Sequence, residues 1–225
     1  MKSLKTVSTM LVLSVAFVVA TGWAQRGGRG GAGMGSVPNM PSLSNPVVGS
    51  GAAYQMTTKG KDMDVSYAIV GKEDVNGSPG VWVETRMSSQ DMGGQMITKI
   101  LITTGGTDAG VKRMIMQRPG QPPMDMSGLM MGMMKQSQPS TGKPEYGELV
   151  GTETITVPAG SFSCTHYRKQ VNGNPVDYWV SDKVTPYALA KMTGSDVNMV
   201  LTKILTDETS QIKGEPQKMP QLPHF

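Results

Sequence analysis

Apolar and polar residues alternate through several short windows of this chain, and alternation with period two marks half-buried β-strands. Residues 62–73 (DMDVSYAIVGKE) place Met63, Val65, Tyr67 and Ile69 on one face. Residues 81–87 (VWVETRM) set Val81, Val83, Thr85 and Met87 together, opposite Trp82, Glu84 and Arg86. Residues 96–103 and 111–117 continue the pattern, and after a break so do residues 148–157, 162–171, 176–181 and 199–205. Asn76-Gly77, Gly93-Gly94, Gly105-Gly106 and Asn172-Gly173 fall between the windows. Asn-Gly and Gly-Gly supply the positive φ angles that tight hairpins require. No long stretch of helical period separates the strands, so βαβ units are excluded. The pattern predicts a mainly β fold, a single curved antiparallel sheet.

An internal similarity suggests how that sheet is built. Val75-Asn76-Gly77-Ser78-Pro79 leads to Trp82-Val83 and then to Thr98-Lys99-Ile100-Leu101. Val171-Asn172-Gly173-Asn174-Pro175 leads to Trp179-Val180 and then to Thr202-Lys203-Ile204-Leu205. The matches keep their order at an offset of roughly 100 residues, too long for a solenoid repeat. The expectation is two duplicated halves of one sheet, residues 47–118 and 144–213, within a β-rich domain of residues 47–213.

Between the halves the pattern changes. Residues 119–143 open on Pro119, Pro122 and Pro123 and continue MDMSGLMMGMMK. On helical spacing Met126, Met130, Met133 and Met134 share a face with Leu129 beside them. Gly128 and Gly132 weaken such a helix by about 1 kcal/mol each. The segment is read as a short, soft, Met-rich helical or irregular connector, suited to act as a mobile apolar flap. Those five residues are the expected contacts for an apolar ligand or partner. The same methionines also allow a Cu(I) reading, since soft thioethers select that ion, and the plainer reading of core filling, since methionine recurs at Met56, Met63, Met87 and Met96.

The two ends are not strand-like. Residues 1–24 carry Lys2 and Lys5, then an apolar run over 7–20, then Gly22 and Ala24 at the positions of a cleavage site. That is the pattern of a secretory signal peptide, and no cysteine follows it to take a lipid. Residues 25–46, rich in Gly, Pro and Ser, are read as a disordered leader, and residues 214–225 as a loose tail. The mature protein is expected to be exported, periplasmic or secreted, and not membrane-spanning.

Charge and cysteine content narrow the function. Four of the 21 basic residues, Lys2, Lys5, Arg26 and Arg29, lie in the N-terminal segments, and the 17 that remain match the 17 acidic ones. The charges are dispersed, which excludes the basic face of a nucleic-acid binder. Cys164 is the one cysteine, so no intramolecular disulfide forms. With aromatics at 5 % and 20 methionines, methionine must supply apolar volume usually given by other residues. Gly28, Gly30 and Gly33 match a dinucleotide fingerprint only in letters, lacking the strand and helix it needs. Cys164 and His166, two apart on a strand, point to one face and could form a thiolate–imidazole dyad. A metal site needs three or four ligands, and His224 is the only other histidine. Phe162 on the same face favours a packed structural thiol.

Residues 151–162 (GTETITVPAGSF), His166-Tyr167, residues 177–182 (DYWVSD) and Ala190-Lys191-Met192 together resemble uncharacterised exported bacterial domains. Those domains are similar to the lipoprotein-localisation-factor class. The resemblance implies a curved, half-barrel-like sheet over an apolar cavity, a strand with a tryptophan, a strand carrying methionine, and no catalytic residue. The resulting expectation is a non-enzymatic exported β-sheet protein without a cofactor, binding an apolar ligand such as a lipid or acyl chain. The rivals are a periplasmic Cu(I)-binding protein and an enzyme using Cys164 and His166.

Overall fold

The computed structural model describes residues 43–103, 110–128 and 146–218. The first five strands form a meander: β1 (Gly51–Thr58), β2 (Lys61–Val75), β3 (Ser78–Ser89), β4 (Gly94–Thr103) and β5 (Gly110–Gln117), each antiparallel to its predecessor. A two-residue strand, β6 (Met124–Asp125), pairs beside β5. A second meander follows: β7 (Glu148–Val157), β8 (Gly160–Val171), β9 (Asn174–Val180), β10 (Leu189–Gly194) and β11 (Val197–Leu205). β1 pairs antiparallel with β11, which joins both meanders into one open, curved sheet of order β12-β6-β5-β4-β3-β2-β1-β11-β10-β9-β8-β7. The mainly β class and the single curved sheet read from the sequence are what the chain forms.

Hairpin chemistry follows the sequence. Asn76 and Gly77 have φ of 53° and 80°, and Asn172 and Gly173 have 51° and 80°, the paired positive angles whose twist matches the flanking strands. Lys59 and Gly60 do the same at 50° and 75°, making the β1–β2 turn without an asparagine to announce it. The two meanders match strand for strand: the Asn-Gly hairpins join β2 to β3 and β8 to β9, and Trp82 and Trp179 lie on β3 and β9. The Thr-Lys-Ile-Leu match does not extend this equivalence. It falls on β4 and β11, the fourth strand of one meander and the fifth of the other.

One face of the sheet carries the core, and methionine builds much of it. Tyr178, Met192, Met199, Met56 and Met63 form a continuous cross-strand row from β9 to β2, and Leu201, Tyr54, Val65, Met87 and Met96 form the next, from β11 to β4. All ten are buried, each worth roughly 1.5–3 kcal/mol of apolar transfer for the larger side chains. Tyr67 meets Tyr54 and Tyr187 edge-on, with ring centroids 5.8 and 5.1 Å apart, and Tyr54 Oη donates to Leu189 O at 2.9 Å.

The opposite face of the first meander is also covered. Residues 206–216 return across it, setting Ile212 against the Trp82, Leu101 and Ile115 cluster. β12 (Gln217–Lys218) then pairs in parallel with β6 at the far edge. The sequence reading of a loose tail from residue 214 is corrected here, because Gln217 N–H donates to Pro123 O at 2.8 Å. The connector is corrected likewise: Met124–Asp125 is a strand, and Met126 N–H donates to Met114 O at 2.8 Å. Leu43 and Ser44, read as part of a disordered leader, are placed as well. Leu43 packs on the core and Ser44 N–H donates to Pro186 O at 2.7 Å. The signal-like residues 1–24 and the rest of the leader lie outside the described residues.

The returning segment is held by a buried ion network. Arg86 Nε donates to Glu84 Oε1 at 2.8 Å, Nη1 to Glu208 Oε2 at 2.5 Å and Nη2 to Thr209 O at 2.8 Å. Ser210 Oγ and Gln211 N–H donate to Glu84 at 2.6 and 2.9 Å. Burying charge is tolerable only when every partner is present. Arg86→Met should therefore cost about 3–5 kcal/mol in urea unfolding, because two carboxylates lose their counter-ion. Lys61→Met, which breaks the exposed pair with Asp91, should cost about 1 kcal/mol or less. Equal losses in the two variants would refute the structural weight given to the network.

Candidate functional site

The second meander gathers the chain's distinctive chemistry on four strands. Cys164 and His166 lie two apart on β8, as the sequence reading required. Register places Glu153 of β7 opposite Cys164, and Trp179 of β9 opposite His166, with Lys191 of β10 opposite Trp179. The His166 and Trp179 rings stack with centroids 4.5 Å apart and planes at 17°, and Lys191 Nζ sits 4.8 Å from the Trp179 centroid. Trp179 Nε1–H donates to Glu153 Oε1 at 2.7 Å.

This arrangement does not make a nucleophilic dyad. His166 Nδ1 lies 3.2 Å from Glu153 Oε1, and its Nε2 lies 2.7 Å from Asp177 Oδ1. Both ring nitrogens face carboxylates, so neither is aimed at the thiol. Burial pushes the Cys164 thiol up, and the neighbouring Glu153 carboxylate pushes it further. Both effects disfavour the thiolate that a nucleophile needs. Asp177 goes the other way. Burial alone would raise its pKa, but hydrogen bonds and charge from Arg168 and His166 outweigh that and hold it below the ordinary 3.8.

The first meander helps separate structure from function. There Trp82 Nε1–H donates to Glu73 Oε2 at 2.8 Å and Lys99 Nζ sits 4.8 Å from the Trp82 centroid. A tryptophan held by a glutamate and a lysine thus recurs in both halves. A device that serves both halves alike is a clamp between strands, worth about 0.5–1 kcal/mol as a cation–π contact at an exposed site. Only the His166–Asp177–Arg168 cluster is particular to the second half.

Beside this cluster the structure opens a pocket of about 510 Å³. Thr152, Ser163 and Thr165 come from β7 and β8, where Thr152 pairs directly with Thr165. Leu43, Ser44 and Ala188 supply a facing wall, fixed by the bond from Ser44 N–H to Pro186 O. Tyr146, stacked on Tyr167 at 5.0 Å and 22°, also lines the pocket. Burial, aided by Tyr167, raises its pKa to about 12, so the phenol stays neutral.

Ser181, at the end of β9, lines the same pocket. Its N–H donates to Ala188 O at 2.7 Å and its carbonyl accepts from Val184 N–H at 3.1 Å. The residue is only 4 % exposed, and its Oγ has no hydrogen-bond partner. A buried hydroxyl left unpaired costs about 1–3 kcal/mol. Ser181 could not have been found from the sequence. Its isolation comes from segments around residues 43, 146, 165 and 188, which only the fold brings together.

The expected contact residues divide. Met126 is placed, half-buried beside Met114. Leu129, Met130, Met133 and Met134 lie outside the described residues. Met114 and Met116 pack against the core. Among the described residues there is no group of three His, Cys, Asp or Glu side chains able to hold a metal ion. Nor is any helix there long and apolar enough to cross a membrane.

No family model matches the chain, and comparison with curated proteins gives no match. Among solved structures it is similar to an inferred lipoprotein from Parabacteroides distasonis, at 14 % identity and a TM-score of 0.38, over 74 % of this chain and 100 % of that one. It is also similar to an inferred exported protein with a YmcC-like fold from Bacteroides fragilis, at 12 % identity and a TM-score of 0.35, over 73 % of this chain and 99 % of that one. PNGF-II matches at 7 % identity and a TM-score of 0.34, over 77 % of this chain but 31 % of its own. None of the three is named a lipoprotein-localisation factor. Likenesses this distant lend no function to the chain.

Two outcomes are expected from the geometry. Under native conditions Cys164 should react with a thiol reagent far more slowly than a free model thiol, and at the free rate once unfolded. Asp177→Asn should lower the melting temperature at neutral pH. A carboxylate whose folded-state pKa is depressed stabilises above its unfolded value and loses that contribution as pH falls through the folded value. The gap between parent and variant should therefore shrink as pH falls below about 4 and vanish in stronger acid. A gap constant across that range would show that Asp177 acts without its charge.

Proposed function

We propose that this chain is an exported, non-catalytic β-sheet protein that holds a small molecule in the pocket at Ser181. The observation that carries the reading is the buried, unpartnered Ser181 hydroxyl in the lining of a cavity of about 510 Å³. Small-molecule sites commonly measure about 300–1,000 Å³ and use a few placed polar groups to orient the ligand. Export is supported by the signal pattern of residues 1–24, with the periplasm as the first expectation and secretion as the second.

Binding rather than catalysis is supported by the state of Cys164 and His166. The thiol is raised in pKa and the imidazole is held between two carboxylates. An acyl-chain ligand over the curved face fits less well, because methionine and tyrosine rows already fill that face. The pocket lies elsewhere, and hydroxyls line much of it.

Ser181→Ala should raise stability by about 1 kcal/mol in urea unfolding, because it removes a buried polar group that the fold leaves unpaired. Native mass spectrometry of chain recovered from the exporting cell should show a small added mass, reduced in this variant. A loss of stability on Ser181→Ala would mean that the hydroxyl is satisfied within the fold. The binding reading would then lose its main support.

A further inference from the structure

We infer that the ligand of this pocket is a neutral, polyhydroxylated small molecule of the size of a mono- or disaccharide; this rests on the pocket being the binding site proposed above. The lining decides the chemistry. Ser44, Thr152, Ser163, Thr165 and Ser181 each offer a hydroxyl that both donates and accepts, and the Tyr146 phenol stays neutral. Neither lysine nor arginine lines the pocket, and the one ionised side chain is that of Asp182. A phosphate or carboxylate ligand would meet an acidic group and no counter-ion. An acyl chain would strip water from several hydroxyls and return no hydrogen bonds, which is costly for each group left unpaired.

A sugar answers each of these features. Its hydroxyls can give and take hydrogen bonds with the serine and threonine groups, including the unpaired Ser181 Oγ. A carboxylate such as Asp182 accepts from ligand hydroxyls in charge-assisted bonds, which are stronger than neutral ones. Tyr146, braced by stacking on Tyr167, adds an apolar ring surface for the C–H face of a sugar. Thr165 stands opposite Val180 on β9, next in sequence to Ser181, so a ring spanning that corner can reach hydroxyls from two strands.

The test is ligand-observed NMR on the purified chain from residue 25 onward, with maltose, cellobiose and N-acetylglucosamine as probes and dodecanoate as the apolar comparison. At least one saccharide should bind, and Ser181→Ala and Thr165→Val should each weaken it fivefold or more while circular dichroism stays unchanged. Dodecanoate binding that these variants weaken, with no saccharide bound, would overturn the sugar assignment and leave the pocket standing as the site. Saccharide binding indifferent to both variants would place the sugar elsewhere and overturn the inference. With no probe bound the sugar inference is refuted, whereas the pocket reading is judged separately by the stability of Ser181→Ala.

Discussion

The pairing of β1 with β11 is the contact on which the rest of the sheet depends. Each meander can form from hairpins between neighbouring strands, but an isolated five-stranded ribbon would leave its Met- and Tyr-rich face open to water. The seam runs from Gly51 opposite Leu205 to Thr58 opposite Val197. It is non-local, so the entropy of closing a long loop is lost before the contact forms. What offsets that loss is visible in the rows that cross it: Met199 against Met56, and Leu201 against Tyr54. The seam has little tolerance for bulk. A Cβ on Gly51 would sit 2.5 Å from Tyr67 O, so the first residue of β1 is glycine for want of space. A bulge between Ala53 and Tyr54 adjusts the register, and Thr202 Oγ1 donates to Ala53 O at 3.0 Å beside it.

An open sheet leaves ends to be managed, and the two ends differ. At one, the chain after β11 crosses the outer face of the first meander, where Glu84 and Arg86 bind it, and finishes as β12 against β6. This makes the buried ion network a fastening for an extended segment rather than a centre for chemistry. At the other end β7 leaves Leu149 and Val150 exposed, with an irregularity in the pairing between Leu149 and Gly151. Such irregularities bend an edge and discourage further strand pairing.

Period-two patterning was enough to place most long strands because one face is buried and side chains alternate strictly. The Asn-Gly turns were legible because few other residues tolerate two successive positive φ angles. β1 escaped notice for local reasons: it opens Gly-Ala-Ala, and its turn uses Lys59-Gly60. β6 and β12 could not be read at all, since two-residue strands carry no period and exist only by pairing with each other and with β5. The Thr-Lys-Ile-Leu repeat misled because it reflects what any half-buried strand prefers, not a shared position. The methionines illustrate a different limit. Composition showed that they must fill volume, and Met56, Met63, Met87 and Met192 do so, but only register shows that they align across the seam. The site was less legible than the fold. Cys164 and His166 drew notice as residue types, whereas the feature that matters, an unpaired hydroxyl on Ser181, is a property of surroundings drawn from distant segments.

Comparing the two halves gives that hydroxyl a context. Trp82 and Trp179 occupy matching strands and carry matching glutamate and lysine contacts. Two residues beyond them stand Glu84 in one half and Ser181 in the other. Glu84 is fully buried and satisfied, with Ser210 and Gln211 of the returning segment as donors. Ser181 is nearly as buried and has no such segment over it, only the pocket. In the first half this position is used up in fastening the chain to itself. In the second, no described segment supplies a partner, so a polar group remains desolvated and unpaired. Folding alone gives no reason to keep it there, since alanine would pack as well without the desolvation cost. An interaction made only on binding would supply one, and stability lost in the free protein is recovered when a ligand satisfies the group.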